Sequence, residues 1–169
     1  MLAWEHLEED FSLGLARFDH GEIKGLIGDL FERSFSDPPP DFPVHYVCIC
    51  KVGNVTSVLG YGHCTSCKRY YLGGGMCTDN RALRQLTKDQ RLAIKRRGGV
   101  AQFLIENIFL MSKDKEAVFS YVGHPVAIEI DLRSGFVATP FRHLIVHWTG
   151  AAPSDADQVI QEVQMLGPF

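Results

Sequence analysis

The chain has 169 residues, 46% of them apolar and 22% charged, and a formal net charge of −3. That balance excludes an extended disordered chain and is enough for one domain, residues 1–169, with a buried core. It offers no global positive charge for a nucleic acid or an anionic membrane, so neither is an expected partner.

No apolar run approaches the roughly 20 residues of a membrane span. The acidic start, Met1 to Asp10, lacks the basic-then-apolar order of a secretory signal, so the expected location is cytoplasmic. The five cysteines, Cys48, Cys50, Cys64, Cys67 and Cys77, are an odd number and read as free thiols.

In chain order, residues 12–18 predict a short first strand. Residues 21–34 carry Ile23, Leu26, Ile27, Leu30 and Phe31 at helical spacing, and Asp37 with Pro38-Pro39-Pro40 stops that helix. Three strands follow at Val44–Val52, Val55–Gly62 and Tyr70–Thr78. Gly53-Asn54 and the stretch His63 to Cys67 serve as turns, and such short connections force an antiparallel meander.

Arg81 to Lys95 is polar and helical. After Gly98-Gly99, the residues Val100, Phe103, Leu104, Ile108 and Met111 form the apolar stripe of a long helix. Ala117–Val122 predicts a strand. Pro125 to Arg133 predicts a helix with Pro in its first turn and Gly135 at its C-terminal cap. Strands at Phe136–Thr139 and His143–Thr149 and a last helix from Ser154 to about Leu166 complete the order. An antiparallel run followed by alternation with helices predicts an α/β (α+β) fold with a mixed, mostly antiparallel central sheet flanked by helices.

The segment Arg96-Arg97-Gly98-Gly99-Val100-Ala101 has the makings of an anion site. Glycines let backbone approach a ligand, the first N–H groups of a helix lack internal partners, and guanidiniums add bidentate contacts to phosphate oxygens. Without a ligand, the same pair is a plain turn between helices.

Arg96-x-x-Gly99-x-Ala101 resembles the Q/R-x-x-G-x-G/A motif with which the GNAT superfamily of N-acetyltransferases holds the pyrophosphate of coenzyme A. His124-Pro125-Val126-Ala127 through Gly135-Phe136 is similar to that superfamily's late helix, N-P-x-A-x-x-x-Y-x-x-x-G-F, and it too follows a short strand. With the order of elements, the resemblance covers roughly residues 44–149. It implies a GNAT-like sheet and acetyl-CoA as co-substrate. It further implies transfer of the acetyl group to an amine of a small molecule or protein, with no metal. Backbone contacts to the pantetheine arm and thioester are implied at Met76, Cys77 and Thr78, and phosphate contacts at Arg96, Arg97, Gly98, Gly99, Val100 and Ala101.

Two departures stand out. About 17 residues, Asp79 to Lys95, separate the strand from the glycine turn, which leaves the loop Asn80 to Arg84 as a second candidate for the phosphate contact. An insertion there is similar to the acyl-homoserine-lactone synthases, which widens the range of acyl donors. Asp131 stands where the family has a tyrosine acid, and His124 where it has an asparagine. A carboxyl serves as an acid near neutrality only if burial raises its pKa, whereas the intrinsic range of histidine suits proton transfer. His63 and Tyr71 are candidates by topology for the base that deprotonates the amine. A non-catalytic coenzyme- or protein-binding module of the same fold is the alternative function, and a homodimer is an open alternative. The pair Cys64-x-x-Cys67 also reads as half of a zinc site, which Cys48 and Cys50 on one strand face would have to complete.

Overall fold

The computed structural model describes residues 2–19, 23–41 and 44–169. Along the chain run β1 (Leu2–Glu8), β2 (Phe11–Phe18), α1 (Ile23–Ile27), α2 (Leu30–Phe35), β3 (Val44–Val52), β4 (Val55–Ser66) and β5 (Tyr70–Thr78). Then come α3 (Asn80–Gln85), α4 (Lys88–Arg96), α5 (Val100–Met111), β6 (Ala117–Tyr121), α6 (Pro125–Ser134), β7 (Val137–Ala138), β8 (Leu144–Trp148) and α7 (Ala156–Met165). The strands form one mixed, mostly antiparallel sheet in the order β1-β2-β3-β4-β5-β6-β8-β7, flanked by helices, as the order of elements predicts. Among the described residues no helix is long and apolar enough to cross a membrane.

Contacts divide the chain into two compact units, Met1–His63 with Gly75–Leu104, and Cys64–Gly74 with Ile105–Phe169; β4 and β5 run through both. In the first unit, β2 pairs antiparallel with β1 and, over its whole length, with β3, from Phe11↔Val52 to Phe18↔His45. Six successive residues of β2, Phe11 to Ala16, are buried. Both faces of this strand are therefore covered, which explains why its sequence lacks polar alternation. The helix expected over 21–34 is two short helices; residues 21–22 lie outside the described residues. Gly28, at φ +56°, takes a left-handed conformation that ends α1 before α2 begins. The apolar spacing still does its work, because Ile23, Ile27, Leu30 and Phe31 pack with Val47, Tyr61 and Cys77.

The polar helix expected over 81–95 is likewise two pieces. Leu86 turns extended, and Thr87 opens α4 with a capping box in which its hydroxyl accepts from Gln90 N–H while the Gln90 side chain accepts from Thr87 N–H.

In the second unit β5 and β6 are parallel over Tyr70–Gly73 and Ala117–Ser120, the geometry a long helical crossover permits. β8 pairs antiparallel with β6 and with the two-residue β7. Leu72, Phe119, Leu144, Val146, Val159 and Val163 make the core of this unit. Arg69 ties β5 to α7 by bonding both Glu116 and Asp155 at 2.7–3.0 Å. α6 begins at Pro125 and is closed by Gly135 at φ +114°, as expected. The stretch His63 to Cys67 is not a turn. β4 continues through it to Ser66, and the hairpin closes with Cys67 N–H donating to Tyr70 C=O. His63 and Cys64 are therefore strand residues.

Candidate functional site

The first unit holds all the residues assigned to the coenzyme. α4 runs into Gly98 (φ +102°) and Gly99 (φ +92°), conformations that side chains rarely adopt, and α5 starts at the next residue. The glycine amides themselves are engaged: Gly98 N–H donates to Lys95 C=O and Gly99 N–H to Ile94 C=O, closing α4. The first helical bond of α5 runs from Phe103 N–H to Gly99 C=O, so the amides of its first turn begin at Val100 and Ala101 and do not include those of the glycines. A Cβ on Gly99 would meet nothing within 4 Å, so its α-carbon faces open space, whereas one on Gly98 would lie 2.4 Å from Gln102 Oε1.

The two arginines differ. Arg97 donates to Glu5 at 2.6 Å, sits 5.5 Å above the Phe103 ring, and is mostly covered. Arg96 is exposed and, among the described residues, makes a long, 3.6 Å pair with Glu8. Arg97 is thus committed to holding α4 against β1, and Arg96 is the cation at liberty to meet an anion. Sequence reasoning missed Glu5 and Glu8, because cross-strand partners about ninety residues away leave no local signal.

Gly60, in the middle of β4, was also missed. A Cβ there would lie 2.9 Å from Val100 Cγ1, 3.0 Å from Leu104 Cδ1 and 3.1 Å from the Cys77 carbonyl oxygen. The bare α-carbon lets the first turn of α5 settle directly on the strands, beside β5. Its signal was an isolated glycine inside a strand pattern. Met76, Cys77 and Thr78 complete β5. The Cys77 side chain is buried, and burial pushes its thiol up, partly offset by its hydrogen bond with Ser34.

The rival phosphate loop, Asn80 to Arg84, begins the six-residue α3. The Asp79 carboxylate already accepts from Arg81 N–H and Ala82 N–H. Arg33 in turn bridges Asp79 and Asp29. A carboxylate occupies the position an incoming phosphate would need, so this helix start repels a second anion.

His63 is buried, and its Nε2 accepts a hydrogen bond from Gly75 N–H at 3.2 Å. An imidazole nitrogen facing a backbone N–H must present its lone pair, so the ring proton sits on Nδ1. Burial, with the nearby charge of His45, lowers its pKa to about 4. Phe31 and Tyr61 lie 5.6 and 5.8 Å away, ring to ring. The other candidate base, Tyr71, belongs to the second unit and donates to Asp114 at 3.1 Å.

Asp131 and His124 lie in the second unit, on α6. Asp131 is buried, and burial raises its carboxyl to about 6. About a tenth of such groups carry a proton at pH 7. His124 is exposed at the start of α6, and its side chain makes no capping bond. α6 ends firmly: Gly135 and Phe136 N–H both return to the Asp131 carbonyl, and Phe109 is stacked on His147 and edge-on to Phe136.

All five cysteines are free thiols, Cys67 half-buried and the rest buried. Among the described residues no three His, Cys, Asp or Glu side chains gather as a metal site would require, so the Cys64–Cys67 pair gains no further ligands.

No family model matches the chain, and no curated protein matches its sequence. Among solved structures, a chain from the crystal structure of the KacTA-DNA complex is similar over 98% of this chain and 99% of its own, at 16% identity and a TM-score of 0.45. A likeness at that level carries no inference about ligand or partner.

Proposed function

We propose that this chain binds an acyl-coenzyme A and transfers the acyl group, acetyl in the first instance, to an amine of a small molecule or protein. One observation carries the reading: bare Gly60 brings the first turn of α5 and the Cys77 carbonyl of β5 against the same point. A helix start able to hold a diphosphate and a strand edge able to hold an extended arm thereby share one compact unit.

The open space over Gly99, the exposed guanidinium of Arg96 and the amides of Val100 and Ala101 supply the anion contacts. Met76 to Thr78 supply backbone for the arm and the thioester carbonyl. The neutral amine nitrogen attacks the thioester carbon, the carbon–sulfur bond breaks, the nitrogen gives up its proton to solvent, and the sulfur leaves as thiolate, which takes a proton from solvent. The cytosol is the matching compartment, since all five cysteines are free thiols.

Titration calorimetry with coenzyme A and acetyl-CoA tests the proposal, and thermal melting supports it. At 100 times its dissociation constant the ligand stabilises by about 2.7 kcal/mol, which raises Tm by about 5–10 °C for a chain of this size. Replacing Gly99 by Trp fills the open space and abolishes the heat. No heat with any acyl-coenzyme A, short- or long-chain, ends the proposal. Heat without thioester cleavage over an amine panel assigns the chain instead as a non-catalytic binding module.

A further inference from the structure

The segment Gly73-Gly74-Gly75 gives β5 no side chains with which to hold its own path. The parallel register with β6 ends at Gly73↔Ser120, two residues before Gly75. β4 still flanks the strand where it continues toward Met76, Cys77 and Thr78, but three consecutive glycines leave the backbone there unusually free, so a further hold on it counts. The Gly75 amide is fixed by a side chain: it donates to His63 Nε2 at 3.2 Å.

The imidazole is itself held. Phe31 and Tyr61 enclose it, and Tyr61 is anchored by a 2.8 Å hydrogen bond between its hydroxyl and His45 Nδ1. The rings of Phe31 and Phe35 close over Gly75 from the α2 side. A Cβ on Gly75 would approach Phe31 Cε2 at 3.1 Å and Phe35 Cε2 at 3.2 Å, so the site accepts only glycine without displacement of a ring.

A nitrogen whose lone pair receives a backbone N–H is not available to take a proton from a substrate amine unless that bond breaks. The same bond orients the Gly74–Gly75 peptide plane, one residue from the backbone to which the proposed function assigns the arm and thioester of the donor. We propose that His63 is a positioning residue, which sets the peptide plane of Gly75 and through it the donor-binding edge of β5, and that it is not the general base. The role in catalysis rests on the acyltransfer reading; the hold on Gly75 does not.

The experiment compares His63→Gln, which retains an acceptor, with His63→Leu and His63→Met, which do not. Two readouts are taken on the full chain: amide hydrogen exchange at Gly75 without ligand, and KM and kcat for acetyl-CoA with an amine panel. Two acceptor-free variants are used so that one remains if the other fails to fold. The expected result is that Gly75 exchanges about tenfold faster in the Leu or Met variant, the loss of one hydrogen bond, and at the wild-type rate in the Gln variant. Transfer follows the same pattern, with KM for acetyl-CoA raised in Leu and Met and restored by Gln. Unchanged exchange in the acceptor-free variants overturns the proposal. So does a Gln variant that protects Gly75 yet loses kcat, because that outcome makes His63 the proton acceptor. If wild type binds no coenzyme A, the acyltransfer reading falls and takes the catalytic role with it, while the exchange readout still decides whether His63 holds Gly75.

Discussion

Replacing Asp131 by Asn should stabilise the protein at pH 8 and remove one component of its pH dependence. The side chain is 6% exposed, and burial raises the carboxyl from its ordinary value to about 6. A rise of that size corresponds to about 3 kcal/mol against the charged form; discounted for solvent reaching the helix end, about 1–2 kcal/mol remains. The sign follows from proton uptake. Between pH 6 and 4 the folded chain binds a proton at Asp131 that the unfolded chain does not. Stability from this group therefore increases as pH falls through 6, and it is lowest above pH 7. The neutral amide pays no charge penalty at any pH. Denaturant melts at pH 8 and pH 5 provide the assay: the variant should be the more stable at pH 8 by about 1–2 kcal/mol, and the advantage should shrink to about half of that at pH 5. An equal or lower stability of the variant at pH 8, with parallel pH curves, would refute the claim that the carboxylate is strained by burial.

His63 should act with the opposite sign. Its pKa is lowered to about 4, so as pH falls from about 6.5 toward 4 the unfolded chain takes a proton that the folded chain refuses, and stability is lost. Melts of His63→Gln over that range should show the loss flattened. Gly60→Ala should cost about 1–3 kcal/mol in denaturant unfolding, because the methyl meets Val100, Leu104 and the Cys77 carbonyl at 2.9–3.1 Å; an unchanged midpoint would mean α5 is not seated on that strand. Arg96→Ala and Arg97→Ala should separate binding from stability. The first should weaken coenzyme A about tenfold in calorimetry with little change in Tm. The second should lower stability by about 1 kcal/mol through loss of Glu5 and the Phe103 ring.

Strand and helix identity was legible wherever periodicity and punctuation agreed. β3, β5, α5 and α6 fall within a residue or so of their predicted spans because Pro, Gly and apolar spacing all point the same way. What stayed hidden has particular causes. Leu2–Glu8 mixes acidic and apolar residues without strict alternation, and it becomes β1 through pairing with β2 and the Glu5–Arg97 and Glu8–Arg96 pairs. Gly28 sits at a position where a continuous apolar stripe suggests an unbroken helix, and only its left-handed φ divides the segment. His63-Cys64-Thr65-Ser66 looks like a turn by composition. The pairing of β4 draws it into the sheet, since ladder hydrogen bonds outweigh weak local preference.

The candidate site shows the same division between what a residue is and what holds it. Glycines at 98 and 99 announce a turn before a helix, and the helix start is there; the sequence could not say that α4 has already consumed their amides. Two adjacent arginines look equivalent as letters, yet a glutamate in the first strand makes one of them structural and leaves the other exposed. Asn80 to Arg84 looks as basic as the glycine turn, yet Asp79 places a carboxylate on that helix start. In each case the deciding group is distant in sequence or acts through backbone geometry, and its effect is to assign or withhold a lone pair, an amide or a charge. A reading from residue type alone therefore names too many ligands. Under the proposed function, anion contact narrows to the amides of Val100 and Ala101 and to Arg96, whose pair with Glu8 at 3.6 Å is longer than the 2.6 Å pair of Arg97 with Glu5.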